Sequence, residues 1–95
     1  MPIGYRFFEE YHDRTHAESL GNVIAVWMMA GPPFVKHGGV CFNAVCASKA
    51  PHRPNSAVDA TYLEAEYLGT HCKHISEARA RAIHPRLFEY LDKLS

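Results

Sequence analysis

The 95-residue sequence predicts a small α+β domain: an antiparallel β-hairpin, or a three-stranded sheet, packed against N-terminal and C-terminal helices. Three observations carry this. "NVIAVWMMA" (residues 22–30) and "GVCFNAVCASK" (residues 39–49) are apolar, β-branched runs separated by a glycine- and proline-bearing stretch. "ISEARARAIHPRLFEYL" (residues 75–91) carries helix caps and helical periodicity. The hydrophobic share of 47%, with 5 Phe, 5 Tyr and 1 Trp, is far from the apolar-poor profile of a disordered chain. One domain, residues 1–95, is expected, because domains typically hold roughly 100–150 residues.

Residues 5–20 read as the N-terminal helix, with Tyr5, Phe8, Tyr11 or His12, Thr15 and Leu20 near one stripe and Gly21 as its stop. "IGYRFF" also fits a short strand, with Thr15 and Glu18 then capping a shorter helix. Residues 22–30 follow as a strand covered on both faces, Val23 and Ala25 pointing one way and Ile24 and Val26 the other. "GPPFVKHG" (residues 31–38) reads as a loop of about eight residues, longer than the usual 2–5 and hence a candidate functional segment. Residues 39–49 pair back on the first strand, and the prolines of "APHRPNS" (residues 50–56) stop them.

From Ser56 to Gly69 a helix is expected, with Val58, Tyr62, Ala65 and Leu68 on one face. A third strand through "ATYLEAEYL" (residues 60–68) is its rival, since a two-stranded ribbon is marginal alone. Ser76 is a good N-cap, Glu77 complements the helix dipole, and Ile75 can staple against Ala80. Pro85 ends that helix and opens the next, in which Leu87, Phe88, Leu91 and Leu94 form an apolar stripe.

Charge is balanced, with 10 basic and 10 acidic residues, so no global field draws the chain to nucleic acid or an anionic membrane. Its distribution is uneven. Asp59, Glu64 and Glu66 stand together without a cation, whereas Lys73, Arg79, Arg81 and Arg86 face only Glu77. The three cysteines (Cys41, Cys46 and Cys72) do not form the dense even set of a secreted scaffold. "MPIGYRFFEEYHDR" is charged from its sixth residue, and the longest apolar run, residues 23–33, ends in two prolines. The expectation is a cytoplasmic protein with free thiols, no signal peptide and no membrane span.

Four kinds of chemistry compete for "THCKHISEARARAIHPRLF" (residues 70–88) and the loop. His71, Cys72 and His74, or His12 with His16, suit a metal, but their spacing departs from Cys-x(2–4)-Cys and His-x(3–5)-His across two elements. Cys41 and Cys46, five apart on one strand, point to opposite faces. No metal or cofactor is therefore expected. Cys72 beside two histidines suggests a thiolate nucleophile, yet it lies four residues before the Ser76 cap, and no hydrolase, phosphate-loop or dinucleotide motif is present. No catalytic residue is assigned, and the chain is expected not to be an enzyme.

Arg79 and Arg86, seven apart, would share a face if one helix ran through, and with Lys73 and Arg81 would suit phosphates or a partner's carboxylates. Pro85 leaves almost no turn for a helix-turn-helix. A stiff Gly-Pro-Pro segment presenting Phe34, with His37 beside it, suits a partner's pocket better. In size and character the chain resembles the small inhibitor or adaptor proteins of phages and mobile elements, such as anti-CRISPR proteins. That resemblance carries no motif and so transfers no functional residue. The reading is a non-enzymatic protein-binding module, monomer or homodimer, using Phe34, His37, Lys73, Arg79, Arg81 and Arg86. Its partner is a protein, with nucleic-acid-handling complexes among the candidates. Direct nucleic-acid binding through the same cations is the alternative, and a metal-dependent or thiol enzyme comes third.

Overall fold

The computed structural model describes residues 4–12, 18–27, 34–36, 38–48 and 58–94. In chain order these form β1 (Tyr5–Tyr11), β2 (Ser19–Trp27), β3 (Phe34–Lys36), β4 (Gly39–Ala47), β5 (Val58–Glu64), α1 (Ala65–His71), β6 (Cys72–Ile75), α2 (Glu77–Ile83) and α3 (Pro85–Leu94). The domain is mixed α+β, with one antiparallel sheet and three helices among the described residues. Cys41 of β4 pairs with Phe34 of β3 on one side and Glu64 of β5 on the other, so β3 lies on the edge of β4 that β2 also uses. The sheet is thus five strands wide, in the order β5-β4-β2-β1-β6.

The central hairpin forms as the alternation demands. β2 and β4 pair antiparallel from Val23–Ala47 to Val26–Ala44. Val23 and Ala25 join Phe7, Val45, Ala47, Ala80, Leu87, Phe88 and Leu91 in one core cluster beneath α2 and α3. Ile24 and Val26 join Ala44, Leu68 and Cys72 beneath α1 on the other face. A strand sealed on both faces must be apolar on both, which is what residues 23–26 supply.

Three expectations are corrected. Residues 5–11 are a strand, not a helix, and sit between β2 and β6 with Phe7 and Glu9 on the α2–α3 face and Phe8 facing α1. Thr15 and His16 lie outside the described residues, and Gly21, at φ 73°, belongs to β2 and ends no helix. Residues 58–64 are likewise a strand, pairing seven deep with the outer edge of β4. Val58 and Leu63 therefore serve opposite faces, and the helix starts only at Ala65, running through Gly69 to His71. The cause is tertiary: β4 is buried at Cys41, Ala44, Val45 and Ala47, and its outer backbone groups need a partner. Finally, the expected long loop contains β3, which turns into β4 through Gly38 at φ 79°, a conformation that favours glycine. Residues 28–33 and His37 lie outside the described residues.

The C-terminal helices follow their sequence signals. Ser76 Oγ accepts the Arg79 backbone N–H at 3.1 Å, and Ile75 packs into the same cluster as Ala80. α2 stops at Ile83 and Pro85 opens α3, with Leu87, Phe88 and Leu91 fully inside. The rings of Phe88 and Phe7 lie 5.1 Å apart and tie α3 to the centre of the sheet. Among the described residues no helix is long and apolar enough to cross a membrane.

Candidate functional site

The site begins with an irregularity between β1 and β2. Glu9 pairs with Val23 and Tyr11 with Ser19, so Leu20, Gly21 and Asn22 together oppose Glu10 alone. The left-handed backbone of Gly21 lets β2 make this bulge. The bulge carries two polar groups to the edge of the α2–α3 layer: the Ser19 hydroxyl, which accepts the Gly21 N–H at 3.1 Å, and the Gly21 carbonyl.

Glu9 lies beneath them, only 3% exposed, an unusual setting for a carboxylate. Ser19 Oγ donates to its Oε2 at 2.5 Å. Arg79 of α2 donates from Nε to Oε1 and from Nη2 to Oε2, each at 3.4 Å. Burial alone would raise the Glu9 carboxyl, but the hydrogen bonds from Ser19, Arg79 and Tyr11 and the guanidinium charge outweigh it and hold the group below its ordinary value. Glu9 is therefore a resident anion, not a general base tuned toward neutrality.

Glu9, Ser19, Gly21, Arg79, Ile83 and His84 line a cavity of about 310 Å³. His84 Nε2 lies 2.6 Å from the Gly21 carbonyl. A carbonyl can only accept, so this nitrogen carries the proton. Lys73 of β6 stands opposite Glu9 in the strand register.

The opposite face holds a second polar network. Glu10 accepts from the Tyr67 hydroxyl and from Asn22 Nδ2, the latter at 2.9 Å. Burial, and then the bond to Glu10, push Tyr67 above its ordinary value. The His71 ring stacks on Tyr67 at 4.7 Å and its Nδ1 lies 2.8 Å from Thr70 Oγ1, while His74 meets the Phe8 ring edge-on. Burial first, then Glu10 and Cys46, push the Cys72 thiol up to about 12, opposite to what a nucleophilic thiolate needs. None of the three cysteines is in a disulfide. Among the described residues, no group of three or more His, Cys, Asp or Glu could hold a metal ion.

The residues singled out in the sequence do not form one surface. Lys73, Arg79, Arg81 and Arg86 are all exposed, but only Arg79 binds Glu9, while Lys73 stands opposite Glu9 in the β1–β6 register. Arg79 and Arg81 point about 200° apart around α2, given roughly 100° per residue. Arg81 binds Glu77 at 3.3 Å and lies 4.1 Å from the Phe88 ring centroid. Arg86 is in α3, beyond the break at His84, so the continuous helix that would align it with Arg79 is not formed. Phe34 opens β3, and His37 lies outside the described residues. Glu9, Ser19 and His84 escaped the sequence reading. Their available signal was "RFFEEY": read as a strand, two adjacent acids send one carboxylate to each covered face.

Compared with known proteins, the sequence matches no family model, and neither a curated protein nor a solved structure matches it.

Proposed function

We propose that this chain is a non-enzymatic protein-binding module of the inhibitor or adaptor kind, acting in the cytoplasm, with the cavity at Arg79 as its principal contact. The observation that supports this reading most is an arginine held from beneath by a buried carboxylate, beside a cavity. A pre-positioned guanidinium loses little side-chain freedom on binding, which favours recognition of a partner's polar groups. Phe34 and His37 form a second contact in this reading, and Arg81 and Arg86 a polar rim that aids encounter.

Direct nucleic-acid binding is the second reading. Its support is that Lys73 and Arg86 are exposed and have no acidic partner among the described residues. Against it, Arg79 and Arg81 are already paired with Glu9 and Glu77, and the net charge is zero.

The test is affinity capture from the native host followed by titration with the captured protein after purification. Binding weakened roughly tenfold or more by Arg79→Lys or by Phe34→Ala supports the reading. Failure of every captured protein to rebind in pure form removes it.

A further inference from the structure

We infer that the cavity beside Arg79 is a seat for a single carboxylate, taken end-on by the guanidinium that Glu9 grips from the side. This rests on the binding reading above and names the group the partner presents: a glutamate or aspartate side chain.

The argument is an inventory of donors. A guanidinium has five N–H groups in a plane. Nε and Nη2 each give one to Glu9. Three remain, both hydrogens of Nη1 and the second of Nη2. The outer Nη1 and Nη2 hydrogens run parallel, the fork that matches the two oxygens of a carboxylate. With 56% of the Arg79 side chain exposed, that edge is open to a ligand. The side-on edge is fixed because Glu9 is itself fixed, by Ser19 at 2.5 Å, and Ser19 in turn by the Gly21 N–H. This chain of supports is what turns a mobile surface arginine into an aimed one.

Charge selects the ligand further. Glu9 and Arg79 cancel, so the ligand's own charge is set against the Glu9 carboxylate beside the fork. A monoanion meets less of that repulsion than a phosphate dianion does, so a carboxylate fits better. Ile83 gives the cavity an apolar wall for the methylene carbons of an acidic side chain, and His84, anchored to the Gly21 carbonyl, supplies a polar one.

Nitrogen-15 NMR at constant ionic strength tests this with four probes: acetate, inorganic phosphate, and two end-blocked peptides carrying one internal glutamate or, as control, glutamine. Expected are saturable shifts of the Arg79 Nε–H and of the Ser19, Gly21 and His84 amides with acetate and the glutamate peptide, at roughly 10 mM or tighter. The glutamine peptide and phosphate should bind roughly tenfold more weakly or worse, and Arg79→Lys, which keeps the charge but has no fork, should cost a similar factor. The wild-type titrations stand even if that variant folds poorly. A glutamate peptide tighter than acetate assigns the seat to a partner's side chain; equal affinities assign it to a free small carboxylic acid. No saturation by any carboxylate, shifts away from the cavity, or phosphate binding best would overturn the seat. If a purified partner binds and Arg79→Lys leaves it untouched, the seat is wrong and the protein-binding reading survives. Saturation by acetate with no partner found gives the reverse.

Discussion

Glu9 of β1 and Arg79 of α2, 70 residues apart in the chain, meet at 3.4 Å where the helical layer closes over the sheet. The buried carboxylate needs its donors, whereas the exposed guanidinium would be solvated anyway. The pair therefore matters more for what it does to Glu9 than for its Coulomb energy, which exposure of Arg79 weakens.

That asymmetry has a pH signature. The folded Glu9 carboxyl lies below its ordinary value of 4.5, so between the two values the unfolded chain binds more protons than the folded one. Stability from Glu9 is then fully present above about 4.5 and is lost as pH falls through the lowered folded value. Glu9→Gln should cost about 1.5–3 kcal/mol at pH 7, the range for hydrogen bonds to a charged group, and less at pH 3. Urea melts of both proteins at the two pH values measure it. An equal deficit at both would mean that the carboxylate's charge contributes nothing to folding.

Phe88→Ala tests the docking of α3. Phe88 is buried against Phe7, so its loss should cost about 3–5 kcal/mol, a large share of a small domain's stability. Denaturant melts showing a loss under about 1 kcal/mol, the scale of surface changes, would mean that α3 does not seal this core.

How far these features were legible in the sequence depends on where each one's cause lies. Ser76, Pro85 and the Leu87–Phe88–Leu91 stripe were readable because a cap, a proline and a period of 3.6 act within a few residues. Residues 23–26 were readable because a strand covered twice is apolar throughout. β1 was not: with Phe7 and Phe8 apolar on both faces and Glu9 and Glu10 following them, it shows no clean alternation, and Tyr5, Phe8 and His12 mimic a helical stripe. β5 passes into α1 at Glu64 without glycine, proline or a side-chain cap to mark the boundary, so the whole stretch took on the helical reading. β6 is four residues long and exists through its pairing with β1. The Glu9 site joins residues 10 and 70 positions away through a bulge, which no local pattern announces.

Cys72 offers a chemical test of the α1 face. A thiol pushed up to about 12 is almost wholly protonated at pH 8, and the sheet and α1 bury it. In the native protein Cys72 should alkylate roughly tenfold more slowly, or worse, than the same residue in denaturant, even allowing for the greater nucleophilicity of a basic thiolate. Mass spectrometry of timed iodoacetamide reactions reads each cysteine separately. Fast labelling of native Cys72 would revive the thiol-enzyme reading.

For metal the expectation is also direct. His71 stacks on Tyr67, His74 packs on Phe8, and Cys72 is buried near Glu10, so the three candidate ligands are engaged separately. Protein purified without an affinity tag should contain no stoichiometric zinc, and a chelator should leave its melting temperature unchanged. Elemental analysis and a thermal melt suffice. Near-stoichiometric zinc with unfolding by chelator would promote His71, Cys72 and His74 to ligands.

Salt separates a protein partner from a nucleic acid. Phosphate contacts release counterions, so affinity for duplex falls by about 0.9 log units per log unit of salt for each phosphate neutralised. Lys73 and Arg86, the exposed cations that have no acidic partner among the described residues, would account for a slope of roughly two on that rule. Apolar burial at Phe34 is not screened, so an interface that includes it should weaken less steeply. Reversing Arg86 to glutamate would weaken either mode and cannot decide alone. Phe34→Ala can, because it should reduce binding to a protein partner and leave phosphate contacts intact. The expected outcome is no measurable binding to duplex at physiological salt, and weakened binding of the partner by Phe34→Ala. Duplex binding at micromolar strength or tighter, with a steep salt slope and no response to Phe34→Ala, would instead make this chain a direct reader of the phosphate backbone.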